Sequence, residues 1–278
     1  VKFTGLILML SALAGCHFPV TNRGNDYQII DKYASQGADQ RIRFLVMHYT
    51  AEDVATSLRK LTEEQVSSHY LLPAFSKNDA SQLSVYQLVP EQQRAWHAGE
   101  SYWRGRSHLN DTSIGIEIVN QGPKQSWFNT RWHPYSQQQI ALLIALSRDI
   151  VQRYDIKAVD VVAHSDISPQ RKQDPGPLFP WQQLAEAGIG AWPDAATVEH
   201  YLAGRDRTAE VPIARLLGKL ARYGYRIEPE WDASQQKKLL VAFQMHFRPT
   251  NYRGEPDAES EAIIDALLSK YFPAAPAS

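Results

Sequence analysis

Seven consecutive residues, Ser113-Ile114-Gly115-Ile116-Glu117-Ile118-Val119, alternate between branched apolar side chains and small or polar ones. Successive side chains of an extended chain point to opposite faces, so a period of two gathers the three isoleucines on one face. On a helix the same residues would be scattered around the axis. The segment is therefore a strand with one packed face, and it needs sheet neighbours. Arg43-Phe44-Leu45-Val46-Met47-His48-Tyr49 is an apolar run of strand length. Ser68 to Leu72 and Ser84 to Val89 read as strands closed by Pro73 and Pro90. Ala158 to Ala163 is a further strand, rich in valine.

Helical patterning is interleaved with these strands. Ser136 with Gln139 three residues on forms a capping box, and Ile140, Leu143, Ile144, Val151 and Tyr154 recur at helical spacing behind it. Trp181 begins another short helix after Pro175, Pro177 and Pro180. The mixture predicts an α/β fold with a mixed central sheet flanked by helices. The pattern loosens around Asp194 to Val211, which places a domain boundary there. Beyond it, Ile213 to Tyr223, a segment capped by Asp232 and Gln235 that runs through Phe243, and a segment from Asp257 to Tyr271 predict a small three-helix bundle. With 29 basic and 30 acidic side chains and no basic block, nothing points to nucleic acid as a partner.

Three residues carry candidate metal chemistry. His48 and His164 each end an apolar strand, where α/β sheets commonly hold ligands, and Asp174 follows in Arg171-Lys172-Gln173-Asp174-Pro175-Gly176. Two imidazoles and a carboxylate suit zinc and leave a fourth position for water. Spacing alone equally allows two satisfied core histidines and a turn aspartate. Glu117 is anomalous in the middle of an apolar strand, since a buried unpaired carboxylate costs several kcal/mol. It reads either as a general base or as a solvent-facing strand residue. Lys172, two residues before Asp174, is a surface charge or an oxyanion-stabilising group.

The blocks Val46-Met47-His48-Tyr49-Thr50, Val66-Ser67-Ser68-His69-Tyr70, Ala95-Trp96-His97-Ala98-Gly99, Asn110 to Glu117 and Ala163-His164 through Gly176 occur in order. Together they resemble the type 2 N-acetylmuramoyl-L-alanine amidase family, related to peptidoglycan recognition proteins, over roughly Arg41 to Pro180. The resemblance implies zinc ligands at His48, His164 and Asp174, a catalytic carboxylate at Glu117 and an oxyanion-stabilising lysine at Lys172. It places His97 near substrate, while His69 reads as structural. Arg171 is a candidate contact for a peptide carboxylate. His108 stands where some relatives have a substrate-contacting arginine. The expected substrates are peptidoglycan and muropeptides. A pure wall-binding protein and a zinc peptidase cutting within the stem peptide are the competing readings. Leu216 to Tyr225 and Leu239 to Gln244, followed by Arg248-Pro249, resemble the peptidoglycan-binding domain of wall hydrolases.

The amino-terminal residues carry a separate signal. Lys2, the apolar stretch through Leu6 to Leu10 and on to Ala14, and a small-residue end have the layout of a secretory signal, too short to span a bilayer. Leu13-Ala14-Gly15-Cys16 resembles the lipobox of a bacterial lipoprotein, which implies lipid on Cys16, the single cysteine of the chain. His17, where an aspartate would imply inner-membrane retention, implies an outer-membrane lipid anchor facing the periplasm. The expected organisation is a signal peptide and lipobox over 1–16, a tether over 17–24, a zinc amidase domain over 25–195 and a peptidoglycan-binding-like helical domain over 205–273, in a monomer.

Overall fold

A computed structural model describes residues 27, 29–30, 32–74, 84–125 and 130–273. The signal segment, Cys16 and the tether lie outside the described residues. The chain divides into two units, 1–39 and 40–278. The described part of the first contains no helix or strand. Everything that follows concerns the second.

The alternating segment is a strand, β6 (Ser113–Ile118), and it is the middle strand of the sheet, next to β1 (Phe44–Tyr49). The sheet is completed by β2 (Tyr70–Leu72), β3 (Tyr86–Gln87) and β9 (Val161–Ala163), in the order β3-β2-β6-β1-β9. β1 runs parallel to both β6 and β9, and β2 runs parallel to β6. Only the edge strand β3 is antiparallel, so the sheet is mixed as expected. The expected strand over Ala158 to Ala163 begins instead with a 3-10 turn, Ala158–Asp160, and pairs only from Val161.

The β1–β6 register pairs Phe44 with Ser113, Val46 with Gly115 and His48 with Glu117. These six therefore share one face. Leu45, Met47, Ile114, Ile116 and Ile118 occupy the other, in an apolar cluster with Ile140, Leu143 and Ile150 of α2 (Gln137–Tyr154) and Leu184 of α4 (Trp181–Glu186). All three isoleucines are fully buried, which is worth roughly 1.5–3 kcal/mol apiece. The capping box of α2 is formed: Gln139 N–H donates to Ser136 Oγ at 3.2 Å, and Ser136 N–H to Gln139 Oε1 at 3.1 Å. The smaller elements are α1 (Val54–Leu61), the hairpin strands β4 (Tyr102–Trp103) and β5 (Arg106–Ser107), the pair β7 (Pro123–Gln125) and β8 (Thr130–Trp132), and α3 (His164–Ile167).

The predicted carboxy-terminal helices are present as α6 (Ile213–Tyr223), α7 (Ala233–Phe247) and α8 (Ala258–Tyr271). A fourth helix, α5 (Ala195–Leu202), occupies the stretch where the pattern loosens, and it packs on α8. With Val198 and Leu202 as its buried residues it is too short to show a helical period. These helices continue the core of the sheet. Phe44, Val46 and Val162 belong to one apolar cluster with Leu216, Leu220, Tyr223, Phe243 and Leu267. Trp103 meets the rings of Tyr223 and Tyr225 edge-on, and Arg104 forms two hydrogen bonds, at 2.9 and 3.0 Å, to the Asp160 carboxylate.

Candidate active site

Parallel strands end together, and side chains at their carboxyl ends converge where the sheet opens. His48 is the fifth residue of β1, and its partner on β6 is Glu117. His164 follows β9 directly and opens α3. Asp174 returns from the loop after α3, and its carbonyl accepts from Ser165 N–H at 3.0 Å. His48, His164 and Asp174 are all buried, at 1%, 3% and 7% exposure. His48 Nδ1 lies 2.9 Å from His164 Nδ1 and 3.1 Å from Asp174 Oδ2, and His164 Nδ1 lies 3.0 Å from that same oxygen.

The hydrogen bonds behind these atoms decide where their protons sit. A ring nitrogen that faces a backbone carbonyl must carry the proton, because the carbonyl can only accept. His164 Nε2 faces Ala98 O at 3.2 Å, so in the neutral ring, the form that binds a metal, Nδ1 presents a lone pair. For His48 the argument runs through a relay. Ser113 Oγ–H donates to Leu109 O at 2.6 Å, so its oxygen accepts from His97 Nε2–H at 3.2 Å. His97 Nδ1 then accepts from His48 Nε2–H at 3.0 Å, and His48 Nδ1 presents a lone pair as well. Burial, with His164 beside it, pushes the His48 pKa down to about 4, which agrees with a neutral ring.

Two lone pairs and a carboxylate thus converge within 3.1 Å with no proton among them. Three acceptors this close repel one another unless a cation lies between them. The donor set of two imidazoles and a carboxylate fits zinc, and among the described residues this is the group able to hold a metal ion.

Glu117 stands apart from this triangle. Its Oε2 is buried and has no hydrogen-bond partner among the described residues. Burial, then the Asp174 carboxylate, push its pKa up to about 8 against the opposing charge of Lys172. It lines a cleft of about 370 Å³ together with His164, Asp174, Lys172, Arg171 and His97. The structure therefore brings the expected base, the lysine and two of the three expected metal ligands to one cleft, with His48 buried against His164 and Asp174 behind them. Arg171 is exposed on its rim and donates to Glu100 O at 2.7 Å. His97 also lines the cleft, and both its ring nitrogens are engaged in the relay. His69 accepts from Gly115 N–H at 3.1 Å and faces Gln93 O at 3.2 Å, a structural placement. His108 is exposed in a left-handed turn after β5 and is not among the residues lining the cleft.

Three participants went unread in the sequence. Ser113 ends the relay. Gly115 makes room for it, since a Cβ there would lie 2.4 Å from His97 Cγ. Trp96 is 48% exposed on the rim and offers a flat apolar face to a ligand. Its place in Ala95-Trp96-His97-Ala98-Gly99 was the available signal.

Comparison with known proteins agrees with this geometry. Residues 38–177 match the model of a family described as N-acetylmuramoyl-L-alanine amidase. The chain is 53% identical over 273 residues to N-acetylmuramoyl-L-alanine amidase AmiD of Escherichia coli K12, covering 97% of this chain and 98% of the relative. The structure of an Escherichia coli AmiD complex with the substrate anhydro-N-acetylmuramic acid-L-Ala-D-γ-Glu-L-Lys superimposes with a TM-score of 0.87, covering 92% of this chain and 99% of that one. AmpDh3 of Pseudomonas aeruginosa, in complex with anhydromuramic pentapeptide, is 45% identical with a TM-score of 0.79, over 90% and 98% of the two chains.

Proposed function

We propose a mechanism on the premise that this chain belongs to the N-acetylmuramoyl-L-alanine amidase family and hydrolyses the amide between muramic acid and L-alanine in peptidoglycan. The observation that carries the mechanism is the convergence of two imidazole lone pairs and a carboxylate beside an unpartnered buried carboxylate. His48, His164 and Asp174 hold zinc, whose chemistry is to activate water and to polarise a carbonyl. Glu117 Oε2, with no other partner, takes the proton of the attacking water and returns it to the departing alanine nitrogen. Burial raises the Glu117 pKa above the usual carboxylate range, which suits a group that must return the proton as well as take it. Lys172 steadies the oxyanion that develops on the substrate carbonyl. Trp96 offers its exposed face to the sugar ring, and Arg171 has guanidinium donors left for a peptide carboxylate.

The same proposal covers substrate and place. Muropeptides with or without the anhydro ring are the substrates, supported by the anhydromuramic peptides that the two similar structures hold. Wall binding by the helices over 205–273, a monomeric state and a lipid on Cys16 that ties the enzyme to the periplasmic face of the outer membrane complete it. Leu13-Ala14-Gly15-Cys16 and His17 support the anchor.

The test is product analysis. The chain from about His17 onward is incubated with purified sacculi and with muropeptides, with a chelator, and after zinc is restored. Stem peptides that begin with L-alanine, lost on chelation and regained with zinc, are the expected result. Cleavage that leaves the first alanine on muramic acid would reject the amidase reading in favour of a peptidase.

A further inference from the structure

We propose that the carboxy-terminal helices hold the metal-ligand segment in place through one buried carboxylate, Asp166, with Tyr225 and His246 as positioning residues. The inference rests on the zinc-ligand reading of His164 and Asp174.

Asp166 lies two residues after His164 on α3, and its side chain has no exposure. Three donors converge on it. Ala163 N–H donates to Oδ2 at 2.8 Å and so closes the first turn of α3. The other two come from the carboxy-terminal segment: Tyr225 O–H donates to Oδ1 at 2.7 Å, and His246 Nδ1–H to Oδ2 at 2.6 Å. α3 is four residues long and cannot hold itself by helical cooperativity. It nevertheless carries His164 at its first position, and its Ser165 N–H fixes the Asp174 carbonyl. Two of the three ligands therefore hang on this short turn.

Both outside donors are themselves held. The His246 ring is stacked between Trp181, at 3.8 Å, and Phe247, at 3.9 Å, which fixes its edge toward Asp166. Its Nε2 is buried with no partner among the described residues, where the ring's hydrogen bond goes to Asp166. Tyr225 is 2% exposed and meets Trp103 edge-on, at 4.8 Å between centroids. A fully buried carboxylate that accepts three hydrogen bonds is rigid, and it transmits the position of α7 and of the turn after α6 to the ligand helix. The carboxy-terminal segment is thus part of the metal site's support, in addition to any contact it makes with the wall.

The experiment compares zinc dissociation constants of the full chain, read by competition with a chromophoric chelator well below the melting temperature. Tyr225→Phe keeps the ring and removes the donor, His246→Phe keeps the stack and removes the donor, and His246→Asn restores a donor near the position of Nδ1. Outer partners of metal ligands are worth about 10- to 100-fold in affinity, and one bond further out the expected loss is about tenfold for each donor removed. His246→Asn is expected to recover most of it. Variants that melt lower but bind zinc as the parent does would overturn the inference, because the contacts would then be packing alone. Failure of His246→Asn to recover affinity lost in His246→Phe would remove His246 from it. A parent chain that binds no zinc is a different failure, that of the ligand reading itself, and it appears before any variant is compared.

Discussion

Replacing Ser113 with alanine removes the end of the relay that orients His48. Ser113 and His97 are 1% and 8% exposed, so water does not take the hydroxyl's place. His97 Nε2–H is then a buried donor without an acceptor, which costs about 1–3 kcal/mol. His97 can avoid that cost by carrying its proton on Nδ1 instead. There it faces His48 Nε2 at 3.0 Å, and His48 must move its own proton to Nδ1, the atom aimed at His164 and Asp174. Only this second route reaches the metal: the metal-free protein escapes a cost that the zinc-binding form must still meet, whereas an unshifted tautomer carries that cost with and without zinc. At about 1.4 kcal/mol per tenfold, zinc affinity falls roughly 5- to 100-fold. Chelator competition at neutral pH measures this directly, and the melting temperature of metal-free protein shows that the chain still folds. Gly115→Ala attacks the relay from the other side by pushing the His97 ring, and it should weaken zinc in the same assay. Parental zinc affinity in Ser113→Ala would refute the tautomer argument.

Glu117→Gln is expected to keep stoichiometric zinc by metal analysis and to lower kcat by about 10²- to 10⁴-fold; a near-parental rate would remove Glu117 from the mechanism. Lys172 holds the Glu117 pKa down against burial and Asp174, so Lys172→Ala should raise it further above about 8. Because the base works only when deprotonated, the rising limb of the pH–rate profile then moves to higher pH, and an unmoved limb would contradict this coupling. Asp174→Ala should lose zinc and activity together, and retained stoichiometric metal would reject it as a ligand. Glu91 accepts from Tyr70 at 2.7 Å, Tyr154 at 2.8 Å and Arg153 at 2.8 Å. Burial alone would raise its pKa, but the hydrogen bonds from Arg153, Tyr70 and Tyr154 hold it at about 2. A folded pKa below the unfolded one stabilises the protein above about pH 4.5 and loses that stability as pH falls toward 2. Glu91→Gln should cost about 1–3 kcal/mol at neutral pH, less than a fully buried pair because Arg153 is 40% exposed. It should also flatten the acid limb of a urea-denaturation series.

What could be read from the sequence was local or periodic. The isoleucine alternation placed β6, the Ser136–Gln139 pair placed the start of α2, and Asp232 with Gln235 placed α7. The candidate ligands were visible because His48 and His164 each end an apolar run and because the blocks that hold all three match a known family. What stayed hidden was long-range. Tyr225 and His246 reach Asp166 across 59 and 80 residues, and no spacing rule encodes such a contact. His97 reads from its block as a substrate-side residue, but that its two ring nitrogens meet side chains on β1 and β6 was not legible there. α5 escaped notice because eight residues with few buried positions show no period.

The register of β6 has a consequence for how this family can vary in length. Ser113, Gly115 and Glu117 face the chemistry, while Ile114, Ile116 and Ile118 face the packing. A single inserted or deleted codon within the strand would exchange the two sets, driving a carboxylate into the apolar layer and isoleucine toward the ligands. The loops on either side can lengthen or shorten, but these six residues must be inherited as a block. Homologues that keep the reaction should show substitutions in this strand and no gaps.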